Sequence, residues 1–178
     1  MFLSKIKSVK AFILDIDGIL TDGTVLVTES GDQLRKFNVR DGYAMRLAVK
    51  KGYHICVISG GNSSSVIFRL NGLGVTEVHL GIDKKLAVYE EFIKKHSLDP
   101  QDVLYMGDDV PDMPVMQAVG VSACPIDAIE EIKAISDYIS PFSGGTGCVR
   151  DVVEKVLKIQ GKWFDKDPSA HDDTITSS

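Results

Sequence analysis

Residues 11–23 read AFILDIDGILTDG. The apolar run Ala11 to Leu14 breaks into Asp15 and Asp17, then Gly18, and recovers at Ile19 and Leu20 before Thr21, Asp22 and Gly23. A short, almost uniformly apolar segment at the start of a β/α chain predicts a central parallel strand covered on both faces. Carboxylates are costly inside such a strand. They are tolerable at its carboxyl end, where open α/β sheets hold their ligands and where a cation or a proton neutralises them. Period-two alternation sends Asp15 and Asp17 to one side and Ile16 into packing on the other. Two like charges in one pocket leave two arrangements: one acid is protonated, or a hard divalent cation such as Mg2+ sits between oxygen ligands. An acidic turn ending a strand before a glycine has the same local sequence, so the rest of the chain must decide.

After Gly23, residues 24–38 contain two β-prone runs around Glu29-Ser30-Gly31-Asp32, which predicts a hairpin. Its first arm is apolar on both faces (Val25 and Val27 against Leu26), more than a lone two-stranded flap exposes safely, which predicts packing on another subunit. A helix is expected from Asp41, as cap, to Gly52. A βα alternation follows: a strand over 53–58 ending in Ser59-Gly60-Gly61, a helix over 62–73, a strand over 76–80 and a helix over 84–96. The strand over 103–106 again ends in acids, Asp108, Asp109 and then Asp112. Pro114 suits a helix first turn, 119–123 forms a further strand, 128–135 a helix, and Tyr138-Ile139 a short last strand. After Ser143-Gly144-Gly145-Thr146-Gly147, a final helix runs over 149–159. The pattern is α/β: a Rossmann-like, doubly wound parallel sheet with an inserted β-hairpin. One domain is expected over residues 1–164, and residues 165–178, polar and without period, read as a disordered tail.

The length of 178 residues suits a single core. Net charge is −5 with basic and acidic residues interleaved, so no basic stripe marks nucleic-acid binding or an anionic membrane surface. MFLSKIKSVKAFIL has no apolar run of signal-peptide length and nothing later approaches a membrane span, which gives a cytoplasmic expectation. Cys56, Cys124 and Cys148 are odd in number and widely spaced, fitting buried thiols rather than a disulfide framework.

DIDGILTDG at 15–23, VISGG at 57–61, Lys85 before Leu86, and GDDVPD at 107–112 together resemble the four motifs of the haloacid dehalogenase superfamily of phosphotransferases. LTDG at 20–23, KFNVRDGYAM at 36–45, YMGDDVPDMPVM at 105–116 and GGTGCVRDVVE at 144–154 are similar to its small, capless members, the 3-deoxy-D-manno-octulosonate 8-phosphate (KDO 8-phosphate) phosphatases. This resemblance spans about residues 9–159. It implies a Rossmann-like domain without a cap domain, Mg2+ as cofactor, and a homotetramer built through the hairpin, in which neighbouring subunits help close each active site. The implied reaction is hydrolysis of a sugar acid phosphate in lipopolysaccharide precursor synthesis.

The residues support that chemistry. Phosphate monoesters hydrolyse slowly, so the site must neutralise phosphate charge and supply an in-line nucleophile. Asp15 is the expected nucleophile, giving an aspartyl-phosphate, and Asp17 the acid that protonates the leaving sugar oxygen and then deprotonates water. Mg2+ would take oxygens from Asp15, the Asp17 backbone carbonyl and Asp108. Asp109 and Asp112 are expected behind these ligands, Asp112 holding the lysine. Ser59 and the amides of Gly60 and Gly61 would grip phosphoryl oxygens, with Lys85 offsetting their charge. Lys85 is preferred to Lys84 because the subfamily places its lysine before a leucine. Arg40, Gly61 and Arg69 are the expected contacts to the rest of the substrate.

At position 61 the resemblance departs from its pattern, since many of these phosphatases carry arginine there. A nine-carbon 2-keto-3-deoxy sugar acid 9-phosphate is the alternative substrate, although Gly61 and Gly72 do not match the residues of enzymes for that ester. A phosphoaspartate signalling receiver would share the acids, serine and lysine, but its motif order differs. A catalytically silent regulatory or assembly module would not need to keep Asp15, Asp17, Ser59, Lys85 and Asp108 together.

Overall fold

The computed structural model describes residues 1–164; the tail expected over 165–178 lies outside the described residues. A short helix α1 (Phe2–Lys5) leads into β1 (Ala11–Leu14), and all four residues of β1 are buried. The hairpin follows as β2 (Leu26–Val27) and β3 (Gln33–Leu34), paired antiparallel. The chain then alternates through α2 (Val39–Lys50), β4 (His54–Ile58), α3 (Ser64–Gly72), β5 (Glu77–His79), α4 (Lys85–His96), β6 (Val103–Met106), α5 (Met113–Ala118), β7 (Val121–Cys124), α6 (Glu130–Ile135), β8 (Tyr138–Ile139) and α7 (Cys148–Ile159).

Six strands form one parallel sheet in the order β5-β4-β1-β6-β7-β8. The chain builds outward from β1 to β5, then crosses back to lay β6 on the other side of β1. Strand order therefore reverses between β1 and β6, and the crevice at their carboxyl ends is where such sheets bind ligands.

Alternation along β1, β4 and β6 divides the core. Phe12, Leu14, Ile55, Val57, Leu104 and Met106 pack under α2, α3 and α7, while Ala11, Ile13, Cys56, Ile58, Val103 and Tyr105 pack under α4, α5 and α6. Ile16 continues the first set and is buried, which turns Asp15 toward the α4 side. Cys56, Cys124 and Cys148 are free and buried.

Element boundaries differ from the expected ones for local reasons. Asn38, not Asp41, caps α2, its side chain accepting from the amides of Arg40 (2.8 Å) and Asp41 (3.3 Å). Asp41 is instead buried across the interface between α2 and α7 and accepts the Arg150 amide at 2.8 Å. Gly147, which precedes α7, has no side chain to do this, so an acid from another helix caps α7. The hairpin strands are two residues each and exposed, with Leu26 66% and Val27 63% accessible. Among the described residues no helix is long and apolar enough to cross a membrane.

Candidate active site

Where β1 ends, the Asp15 amide still bonds the Met106 carbonyl (3.1 Å), so the carboxylate leaves the sheet at a fixed position. The ammonium of Lys85, on the first residue of α4, lies 2.9 Å from Asp15 Oδ1 and 2.7 Å from Asp112 Oδ1. Lys85 and Asp112 are almost wholly buried. Burial works against the ammonium, but Asp15 and Asp112 more than offset it and hold Lys85 above the ordinary lysine value. Asp112 also accepts the Tyr105 hydroxyl (2.6 Å) on Oδ1 and the amides of Asp108 (3.0 Å) and Asp109 (3.3 Å) on Oδ2. Both its oxygens are engaged, so Asp112 braces the lysine and the 107–112 loop.

Asp108 is the opposite case. Its Oδ1 is buried and, among the described residues, has no hydrogen-bond partner. Carboxylate oxygens of Asp15, Asp108 and Asp112 lie within 4.8 Å of one another. Burial, then repulsion from Asp112, raises Asp15 from 3.8 to about 6 against the pull of Lys85. Burial and the neighbouring Asp15, Asp112 and Asp109 raise Asp108 from 3.8 to about 7. Three crowded carboxylates share the single Lys85 ammonium, and the orphaned Asp108 oxygen has none of it, an arrangement that fits a small divalent cation between Asp15 and Asp108. Gly18 makes the approach of the two loops feasible: it adopts φ +89°, and a Cβ there would lie 2.0 Å from Asp108 Oδ2.

These acids line one wall of a cavity of about 450 Å³ that also contains Asp17, Ser59, Gly60, Gly61, Ile82, Asp83 and Lys85. Ser59 is buried at the end of β4; its amide bonds the His79 carbonyl (2.9 Å) and its Oγ accepts the Gly61 amide (3.1 Å). Asp17 faces the same cavity and is gripped by Arg35 from the hairpin, Nε to Oδ1 at 2.7 Å and Nη2 to Oδ2 at 3.3 Å. Acids and a cation site at two strand ends, with a hydroxyl and backbone amides at a third and an ammonium at the start of α4, can bind a phosphoryl group and offer it a carboxylate nucleophile.

Residues 78–149 match the family described as haloacid dehalogenase-like hydrolase, a span that includes Lys85 and Asp108 to Asp112. The 3-deoxy-D-manno-octulosonate 8-phosphate phosphatase KdsC of Escherichia coli K12 is 36% identical over 160 residues, covering 90% of this chain and 85% of that one. The chain belongs to this phosphatase family of haloacid dehalogenase-like hydrolases. The Yersinia pestis KDO 8-phosphate phosphatase structure superposes with a TM-score of 0.89 at 33% identity, covering 91% of this chain and 88% of that one. The Moraxella catarrhalis phosphatase, solved with a magnesium ion, a phosphate ion and KDO, gives a TM-score of 0.88 at 33% identity, covering 91% and 93%.

In this haloacid dehalogenase-like hydrolase, the structure brings Asp15, Asp17, Ser59, Gly60, Gly61, Lys85, Asp108, Asp109 and Asp112 to one cavity. Arg40 and Arg69 stand elsewhere. Arg40 lines a separate cavity with Arg150, Lys155 and Lys158 on α7, and Arg69 lies in a narrow cleft beside Gly42 and Leu73. Neither joins the acids within one chain. The glycine-rich segment also lies outside the cavity lining and packs instead on the first acidic loop. The Gly145 amide bonds the Ile19 carbonyl (2.9 Å), and a Cβ on Gly144 would lie 1.9 Å from the Gly18 carbonyl oxygen. Arg35 and Asp83 are not expected from the sequence; Arg35 immediately precedes KFNVRDGYAM, but no spacing rule pairs it with Asp17 eighteen positions earlier.

Proposed function

We propose that this protein is a Mg2+-dependent phosphatase that hydrolyses KDO 8-phosphate to KDO and phosphate, in lipopolysaccharide precursor synthesis, through an aspartyl-phosphate on Asp15. The observation that carries this reading is the Asp108 carboxylate, whose buried Oδ1 has no partner among the described residues and which lies within 4.8 Å of the Asp15 carboxylate, in the cavity that also holds Ser59 and Lys85. Asp15 and Asp108, with the Asp17 backbone carbonyl, would hold Mg2+, which supplies positive charge to the phosphoryl oxygens and keeps both carboxylates ionised.

The remaining steps belong to the chain. Ser59 Oγ, steadied by the Gly61 amide, and the amide at Gly60 hold phosphoryl oxygens, and Lys85 faces the negative charge that grows on them. An Asp15 oxygen attacks phosphorus as the P–O bond to the sugar breaks. Asp17 gives its proton to the departing sugar oxygen. Asp17 then takes a proton from water, the water oxygen attacks phosphorus, and the Asp15–phosphorus bond breaks to release phosphate and restore the free carboxylate. Asp112 positions Lys85, and Asp109 would stand behind the metal ligands.

The reading includes a cytoplasmic homotetramer. Exposed Val25, Leu26, Val27 and Leu34 on the hairpin support association through it. Arg40 and Arg69 would then meet substrate only through such an assembly.

Phosphate release from KDO 8-phosphate and from the nine-carbon 9-phosphate, with Mg2+ and with chelator, tests the proposal. Preference for the eight-carbon ester, abolished by chelation, is the expected result. Preference for the nine-carbon ester would reassign the substrate, and failure of both with folded protein would leave a silent module.

A further inference from the structure

The Arg35 side chain is only 6% exposed although it follows an exposed two-residue strand, so the hairpin lays a buried guanidinium against Asp17, which lines the site. Two of its nitrogens bond Asp17, and the third, Nη1, is buried with no partner among the described residues. The guanidinium also fills the room left by Gly61: a Cβ there would lie 3.2 Å from Arg35 Nη2 and 3.3 Å from Asp17 Oδ2. A buried guanidinium with unmatched donors is costly in isolation and suits a second planar anion.

Its position indicates which anion. Ser59, Gly60 and Lys85 take the phosphoryl end, and Asp17 serves the oxygen that leaves. A group beyond Asp17, beside Gly61, therefore meets the leaving group rather than the phosphate. We propose that Arg35 binds the carboxylate of a sugar acid leaving group, so that the hairpin makes the enzyme specific for phosphate esters whose alcohol is itself an anion. This rests on the phosphatase reading above and deepens it.

The test compares kcat/KM for KDO 8-phosphate with that for ribose 5-phosphate, which has no carboxylate, in wild type, Arg35→Gln and Arg35→Lys. Loss of the Asp17 contact slows both esters alike, so the ratio between them isolates the carboxylate. Arg35→Gln is expected to lower that ratio at least tenfold, mainly through KM for KDO 8-phosphate, with Arg35→Lys recovering part of it. Free KDO is expected to raise the thermal midpoint of the wild type but not of Arg35→Gln. An unchanged ratio, with both esters slowed equally, would overturn the proposal and leave Arg35 as a support for Asp17. If the wild type releases nothing from KDO 8-phosphate, the phosphatase assignment fails separately. The ratio for 6-phosphogluconate over ribose 5-phosphate then decides the role of Arg35, and if no ester is turned over, the KDO-dependent midpoint decides it, no shift in the wild type overturning it.

Discussion

The Asp108 carboxylate occupies the space that any side chain on Gly18 would need, with Oδ2 2.0 Å from the position of a Gly18 Cβ. Two strand ends on either side of the topological switch thus meet through a missing methyl group. Gly18→Ala is expected to displace Asp108 and to strain a backbone at φ +89°. The variant should lose the Mg2+-dependent rise in thermal midpoint and at least a hundredfold in turnover, checked by thermal melts with and without Mg2+ and by phosphate release.

Crowding of Asp15, Asp108 and Asp112 costs stability through mutual repulsion. Asp108→Asn removes one of the repelling charges, so the metal-free variant is expected to melt higher than metal-free wild type while losing turnover. Melts in chelator read the first effect, and a lower midpoint would contradict it.

The pH dependence follows in sign. Folded Asp15 and Asp108 keep protons up to about 6 and about 7, whereas an unfolded carboxylate releases them near 3.8. Between these values the folded state binds more protons, so metal-free stability falls as pH rises from about 4 to about 7. Mg2+ competes with the same protons, and its apparent affinity should rise over the upper part of that range. Calorimetric titration at several pH values checks this, and an affinity independent of pH would contradict it.

Lys85 neutralises two buried acids, and Lys85→Met leaves both without it. A loss of about 3–5 kcal/mol is expected in chemical denaturation, with turnover falling by orders of magnitude.

Asp41 caps α7 from a neighbouring helix, and burial raises its carboxyl above the ordinary value despite the Arg150 amide it accepts. Asp41→Ala is expected to cost about 1–2 kcal/mol, with Asp41→Asn costing less because its amide oxygen still accepts. Denaturant midpoints of the two variants check the order.

The sheet was legible because β1, β4 and β6 are apolar runs ending in polar residues, a pattern local to each strand. The meeting of Asp15, Ser59 and Asp108 was legible because parallel strands carry those ends to one edge, and that of Lys85 because the loop after β5 enters α4 at the same edge. Arg35 was not, because its role depends on how the hairpin folds back, and neither periodicity nor motif order encodes that angle. Asp41 misled for a related reason: an acid near a helix start reads as that helix's own cap, whereas Asn38 performs that task and Asp41 turns inward to α7. Arg40 was placed by its motif and Arg69 by its position on the helix after Ser59, and the helices that carry them direct them to other clefts.

The central claim is that Asp15 carries the phosphoryl group. Acid quenching of the Mg2+-loaded enzyme during turnover of KDO 8-phosphate, followed by borohydride reduction and peptide mass analysis, tests it directly. The account predicts conversion of residue 15 to homoserine in wild type and none in Asp15→Asn. Reduction at another aspartate, or none at any residue while phosphate is still released, would contradict it.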